Sequence, residues 1–168
     1  MAKKPLPHPE HFHVQSALGW LELGSLTDAR QEMKSVAEQY REHPDVLEMW
    51  WKIFAEEKDW PAALASSKRL VAIAPERDTG WVQQSFALHE LKRTPEAYDL
   101  LARVEKKFPQ VYVIPYNLAC YQCQMGKRAE ALRWLKRAVK AADAPTIRAM
   151  AMLDPDLASL RDELSGLD

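Results

Sequence analysis

Apolar residues recur at three- and four-residue steps along most of the chain, and the runs stop at proline, glycine or paired polar residues roughly every 13 to 18 positions. From Glu10, the residues His13, Ala17, Trp20, Leu21 and Leu23 keep close to one face until Gly24-Ser25. Thr27 is placed to cap a second helix carrying Ala29, Met33, Val36, Ala37 and Tyr40. His43-Pro44 ends that helix, because a residue before proline is pushed out of the helical region. Asp45 is expected to cap a third run with Met49, Trp50, Ile53 and Phe54, and Asp59 a fourth with Ala63, Leu64, Leu70 and Ile73. Asp78 or Thr79 opens a fifth with Trp81, Val82, Phe86, Leu88 and Leu91. Thr94-Pro95-Glu96 reads as an N-cap followed by proline in the first turn, and Ala97, Leu100, Leu101 and Val104 continue that helix. Two further segments, from Val111 to about Ala142, hinge at Met125-Gly126-Lys127. A short apolar helix follows from Thr146 to Leu153, and Asp154-Pro155 starts a last helix with Leu157, Leu160 and Leu164. Strand alternation is absent, so the pattern predicts an all-α chain.

The pattern also repeats. Alanine stands at 29, 63, 97 and 131, each step being 34 residues, and proline at 75 and 109 keeps the same step. Gly24 and Gly126 share one phase, as do Trp81 and Pro115. The third unit reads Trp81, Gln84-Ser85, Leu88, Ala97, Leu101, Pro109, and the fourth Pro115, Leu118-Ala119, Gln122, Ala131, Leu135. The second carries Trp50-Trp51, Phe54, Ala63 and Pro75, and the first Ser16-Ala17, Trp20, Ala29 and Met33. A helix-turn-helix unit at this period resembles the tetratricopeptide-repeat family over residues 10–143. The resemblance implies helix pairs stacked into a right-handed superhelix, with units at about 10–43, 44–77, 78–111 and 112–143. Residues 1–9, with Pro5, Pro7 and Pro9, read as a flexible tail, and 144–168 as capping helices with a polar outer side. Trp51 stands where the family usually places a small residue, which predicts a splayed second pair.

Composition narrows the class of partner. The 168 residues fit one domain and carry 23 basic against 24 acidic side chains, a net of −1, so nothing calls for nucleic acid or an anionic membrane. No apolar run approaches the ~20 residues of a membrane helix, and MAKKPLPHPEHF lacks the apolar core of a secretory signal. Two cysteines are too few for a disulfide framework, so a reduced, cytoplasmic protein is the expectation.

Catalytic patterns are missing: there is no glycine-rich phosphate loop, no G-x-S-x-G and no H-E-x-x-H, and a non-catalytic chain without a cofactor is expected. Two sets of residues offer an alternative. Cys120-x-x-Cys123 places two thiols one turn apart, but in mid-helix, where no helix dipole lowers a thiol pKa; packing is the simpler reading. His8, His11 and His13 cluster near the N-terminus without an acidic second shell, which reads as no resident metal site. Trp60 and Trp134 are candidate partner anchors. Self-association as a structural repeat protein is a third reading.

In proteins of this family the first helix of each unit lines a concave groove that holds an extended or helical peptide. Carried over by phase, the resemblance places Val14, Leu18 and Leu21, then Asp45, Glu48 and Lys52, then Thr79, Val82, Phe86 and His89, and last Val113, Tyr116, Asn117, Cys120 and Gln124 on that face. Members that bind chaperone C-termini clamp a carboxylate with lysines, an arginine and asparagines. Only Lys52 and Asn117 fall at such positions here, and Asp45 and Glu48 oppose an acidic tail. The expectation is therefore an adaptor or co-chaperone-like module whose groove, floored by Phe86 and Tyr116, takes an apolar or basic peptide.

Overall fold

The structure is a computed structural model that describes residues 5–167. Among these residues there are helices and turns and no strand. The chain divides into two compact units, one ending at Ala87 and the other beginning at Leu88, within the helix Asp78–Glu90 (α5).

The first unit holds α1 (Glu10–Glu22), α2 (Leu26–Ser35), α3 (Pro44–Glu56), α4 (Trp60–Ile73) and most of α5. Its core gathers Ala17, Ala29, Met33, Val36, Val46, Met49 and Ile53, with Leu18, Leu21 and Trp50 packed around them. Leu6 joins this core, so the expected tail is tied down there; its residues 1–4 lie outside the described part. Several helix ends differ from the expectation. The residue flanking α2 is Ser25 rather than Thr27, and its hydroxyl donates to Asp28. α2 stops at Ser35, before Tyr40, because the chain turns extended at Val36 to bury that side chain, and a 3-10 turn at Glu38–Tyr40 follows. His43, not Asp45, caps α3: its imidazole accepts from the Asp45 amide, and Pro44 takes the first helical position, where no amide is needed. Asp59 caps α4 as expected, accepting from the Ala62 amide at 3.1 Å. The second pair is not splayed. α3 packs on α4 as extensively as α1 on α2, because Ile53 and Ala63 fill the shared face while Trp51 lies on another. Gly80 lets α5 approach α4: a Cβ there would stand 3.1 Å from Leu70 and 3.2 Å from Val71.

The second unit holds the end of α5, then α6 (Thr94–Val104), α7 (Val113–Gln124), α8 (Arg128–Ala141) and α9 (Ala144–Leu153). Thr94 does not cap α6. The helix begins at Thr94 itself, whose hydroxyl meets His89 Nδ1 at 3.0 Å. Asp143 caps α9 by accepting from Thr146. The last element, Pro155–Gly166, is a 3-10 helix rather than an α-helix, and it packs on both α7 and α9. Its Leu157, Leu160 and Leu164, together with Leu167, are fully buried.

One turn is built four times. Trp20, Phe54, Leu88 and Gln122 each give their carbonyl to the amide five residues on, at Ser25, Asp59, Arg93 and Lys127. The residue between helix end and donor amide is left-handed in every case: Gly24 (φ 78°), Lys58 (φ 57°), Lys92 (φ 62°) and Gly126 (φ 76°). The 34-residue period is therefore a backbone period, carried by glycine twice and by lysine twice.

Candidate partner-binding surface

In the first unit, α1 and α3 bring expected residues together. Leu18, Leu21, Glu22, Trp51, Lys52, Ala55 and Glu56 line an open cleft of about 270 Å³. Its floor is apolar, and Lys52 stands at its rim between two acids. Trp51, which sequence phase assigned to helix pairing, is a wall of this cleft; its indole N–H is buried there without an acceptor. Trp51 also meets Phe86 edge to face at 6.2 Å, and Trp60 meets the other side of Phe86 at 5.7 Å. Phe86 is half-buried in this aromatic cluster, and Trp60 is a member of it rather than a free anchor. Val82 is half-buried one turn earlier on α5.

Asp45 and Glu48 do not form a bare acidic rim. Arg77 Nη1 donates to Asp45 at 2.6 Å and to Glu48 at 3.0 Å, and these bonds hold its guanidinium pKa up against the lowering effect of burial. The preference for a basic peptide lost its physical basis with that pairing, because Arg77, on the link between α4 and α5, was not on the expected face. A second cleft of about 330 Å³ was also not legible by phase. Its walls include stacked Trp50 and Phe54, with Arg30 over both rings and held by Glu57. The sequence feature that marks it is an aromatic pair four residues apart on one helix, Trp50 and Phe54.

In the second unit the expected groove residues are covered by the chain itself. His89, Tyr116 and Cys120 are buried. Tyr116 Oη donates to Asp154 Oδ2 at 2.9 Å, and the Cys120 thiol points to the same oxygen at 3.6 Å. His89 Nε2 lies 3.1 Å from Asp156 Oδ2, its ring packed on Tyr121. Gln124 Nε2 donates to the Asp156 carbonyl at 3.0 Å, and Cys123 Sγ lies 3.2 Å from Ser159 Oγ. Tyr116 is thus not an open floor: the segment after α9 lies on α7 where a ligand was expected. Asn117, half-buried, remains at the edge of this helix face. Trp134 is half-buried under Arg137, 4.7 Å above its ring, and beside Tyr98.

The Cys120 thiol is a poor nucleophile in this setting. Burial pushes the Cys120 pKa well up, and the Asp154 and Asp156 carboxylates add to it; Tyr116 is raised by burial, then by Cys120 and Asp154. A raised acid pKa stabilises the folded state below the unfolded pKa and loses that contribution as pH rises above it. Stability should therefore hold to about the ordinary thiol pKa of 9.0 and then fall, by up to ~1.4 kcal/mol per pH unit for each group that ionises only on unfolding. Cys120→Ser should delay the onset towards 10.0, the ordinary phenol value, which urea midpoints from pH 8 to 10.5 would reveal. As for the N-terminal histidines, His13 Nδ1 pairs with Glu32 at 2.9 Å, and His8 and His11 pack on Phe12. Among the described residues, no group of three or more metal-ligating side chains is assembled.

The repeated helix pairs with their recurring turn have the tetratricopeptide-repeat fold. Solved structures with this architecture include the thermophilic TPR protein TTC0263 of Thermus thermophilus, at 22% identity and a TM-score of 0.78 over 94% of this chain and 87% of that one. PilF of Pseudomonas aeruginosa matches at 20% identity and a TM-score of 0.74, over 92% and 68%. A chain of the APC/C hetero-tetramer Cut9-Hcn1 matches at 12% identity and a TM-score of 0.70, over 90% of this chain and 29% of that one. At such identities the likeness is one of fold. No protein-family profile matches the chain, and no curated protein does. No helix among the described residues is long and apolar enough to cross a membrane.

Proposed function

We propose that the chain is a non-catalytic adaptor, working in the reduced cytoplasm, that holds a peptide segment of a partner protein against the first helices of its first unit. The observation that carries this reading is the open cleft between α1 and α3, where Leu18 and Lys52, on the face that the family phase assigns to ligands, meet Trp51. Its size and apolar floor suit one large apolar side chain of the bound peptide, and Lys52, Glu22 and Glu56 at the rim supply polar contacts to its backbone or neighbours. The Cut9-Hcn1 hetero-tetramer is in keeping with a role in protein assembly. The buried, raised thiol at Cys120 gives no support to a redox role.

Ala55→Trp would fill the cleft from its own wall without touching the core. Affinity capture from a native lysate, wild type beside Ala55→Trp, should lose the specific partners while the far-ultraviolet circular dichroism stays unchanged. Identical partner sets would exclude this cleft as the binding surface.

A further inference from the structure

We propose that the segment Asp154–Leu167 is an intramolecular ligand of the second unit, and that the face of α7 it covers is a receptor for a partner segment of the same chemistry: two carboxylates two residues apart, followed by leucines. This is independent of the first-unit cleft.

Three observations carry the proposal. First, His89, Tyr116, Cys120 and Gln124, four of the residues that touch the segment, are among those expected to touch a peptide. Tyr116 and Cys120 address one carboxylate, His89 the other, and Gln124 a backbone carbonyl, an array of side-chain groups along one face of α7 and the end of α5. Second, the segment has the form of a groove-bound peptide. Leu157, Leu160, Leu164 and Leu167 recur at three- and four-residue steps and are buried, while the outer side is exposed and the stretch carries one arginine against four acids. Third, it is held largely by side chains and in an uncommon backbone form. A 3-10 helix of 12 residues is far longer than the three or four residues that such geometry usually sustains. Its outer ion pair, Arg128–Glu163, is solvent-exposed and adds little. Met152 and Leu153, at the end of α9 just before the segment, are exposed.

Exchange exposes little net apolar surface, because each leucine that the cis segment gives up to water is matched by one that the incoming segment buries. The cis segment competes at an effective concentration on the order of millimolar, so the wild type should bind such a partner weakly until the hold is loosened.

The test uses the full chain and a labelled synthetic peptide copying residues 153–167, with anisotropy as the readout. Asp154→Asn with Asp156→Asn keeps the oxygen that caps the 3-10 helix but removes both charges; this variant should bind the peptide at least tenfold more tightly than wild type. Ser159→Cys places a thiol beside Cys123, so diamide oxidation should staple the segment down, abolish binding, and be reversed by dithiothreitol. A peptide with both aspartates changed to asparagine should bind less well than the native copy. Binding unaffected by the staple would place the peptide elsewhere and overturn the proposal. So would no binding to either wild type or the double variant at millimolar peptide. Loss of helicity in the double variant would make the segment a structural cap and overturn it as well.

Discussion

Ala131→Leu is expected to lower stability by roughly 2 kcal/mol, because overpacking a filled core forces side chains off their rotamers and shifts backbone. For a chain of this length that is a fall in Tm of roughly 4–8 °C. Ala131 is fully buried on α8, as Ala119 is on α7, and the absence of side chain beyond Cβ is what lets the two helices approach. Ala129, two residues away on the same helix, is exposed, so Ala129→Leu should stay within about 0.5 kcal/mol of wild type. The same contrast is expected in the first unit between fully buried Ala63 and exposed Ala65 on α4. Thermal melts of the four single variants decide the matter. If Ala131→Leu melts with Ala129→Leu, the 34-residue alanine does not set the helix spacing.

The opposite sign is expected at the lysine turns. Lys58 and Lys92 hold left-handed backbone that costs a residue with a Cβ about 1–2 kcal/mol, and both side chains are exposed. Lys92→Gly removes that cost and gives back part of it through the greater freedom of glycine when unfolded, for a net gain of roughly 0.5–1 kcal/mol. Lys58→Gly should gain as much in the first unit. In the combined variant the midpoint temperature should rise by roughly 2–8 °C. Gly126→Ala, at the same place in the fourth turn, should lose stability by the converse argument. A double lysine variant that melts at or below wild type would mean that these turns relax freely, and that the repeated hydrogen bond from residue six to residue one does not enforce the left-handed residue.

Helical identity, the period and the pairing of helices were local properties, and these were legible. Ala29, Ala63, Ala97 and Ala131 declare the contact because a helix pair at close approach admits nothing larger, and each is fully buried. Asp59 declared its cap because the bond to Ala62 spans only three residues. The lysine members of the turn series carry no sequence signal, because lysine is not the residue that such backbone favours; only φ exposes them.

The amino-acid sequence by itself determined that this chain is a stack of helix pairs at a 34-residue step, since periodicity and turn chemistry act between near neighbours. Only the tertiary structure decided which parts of the first helices of each unit are open. The bonds of Arg77 to Asp45 and Glu48 and of Asp154 and Asp156 to Tyr116 and His89 join residues 29 to 67 positions apart. Such pairings depend on how the chain folds back, and no spacing rule encodes them. In the first unit they neutralise Asp45 and Glu48, and in the second they lay the segment after α9 on α7.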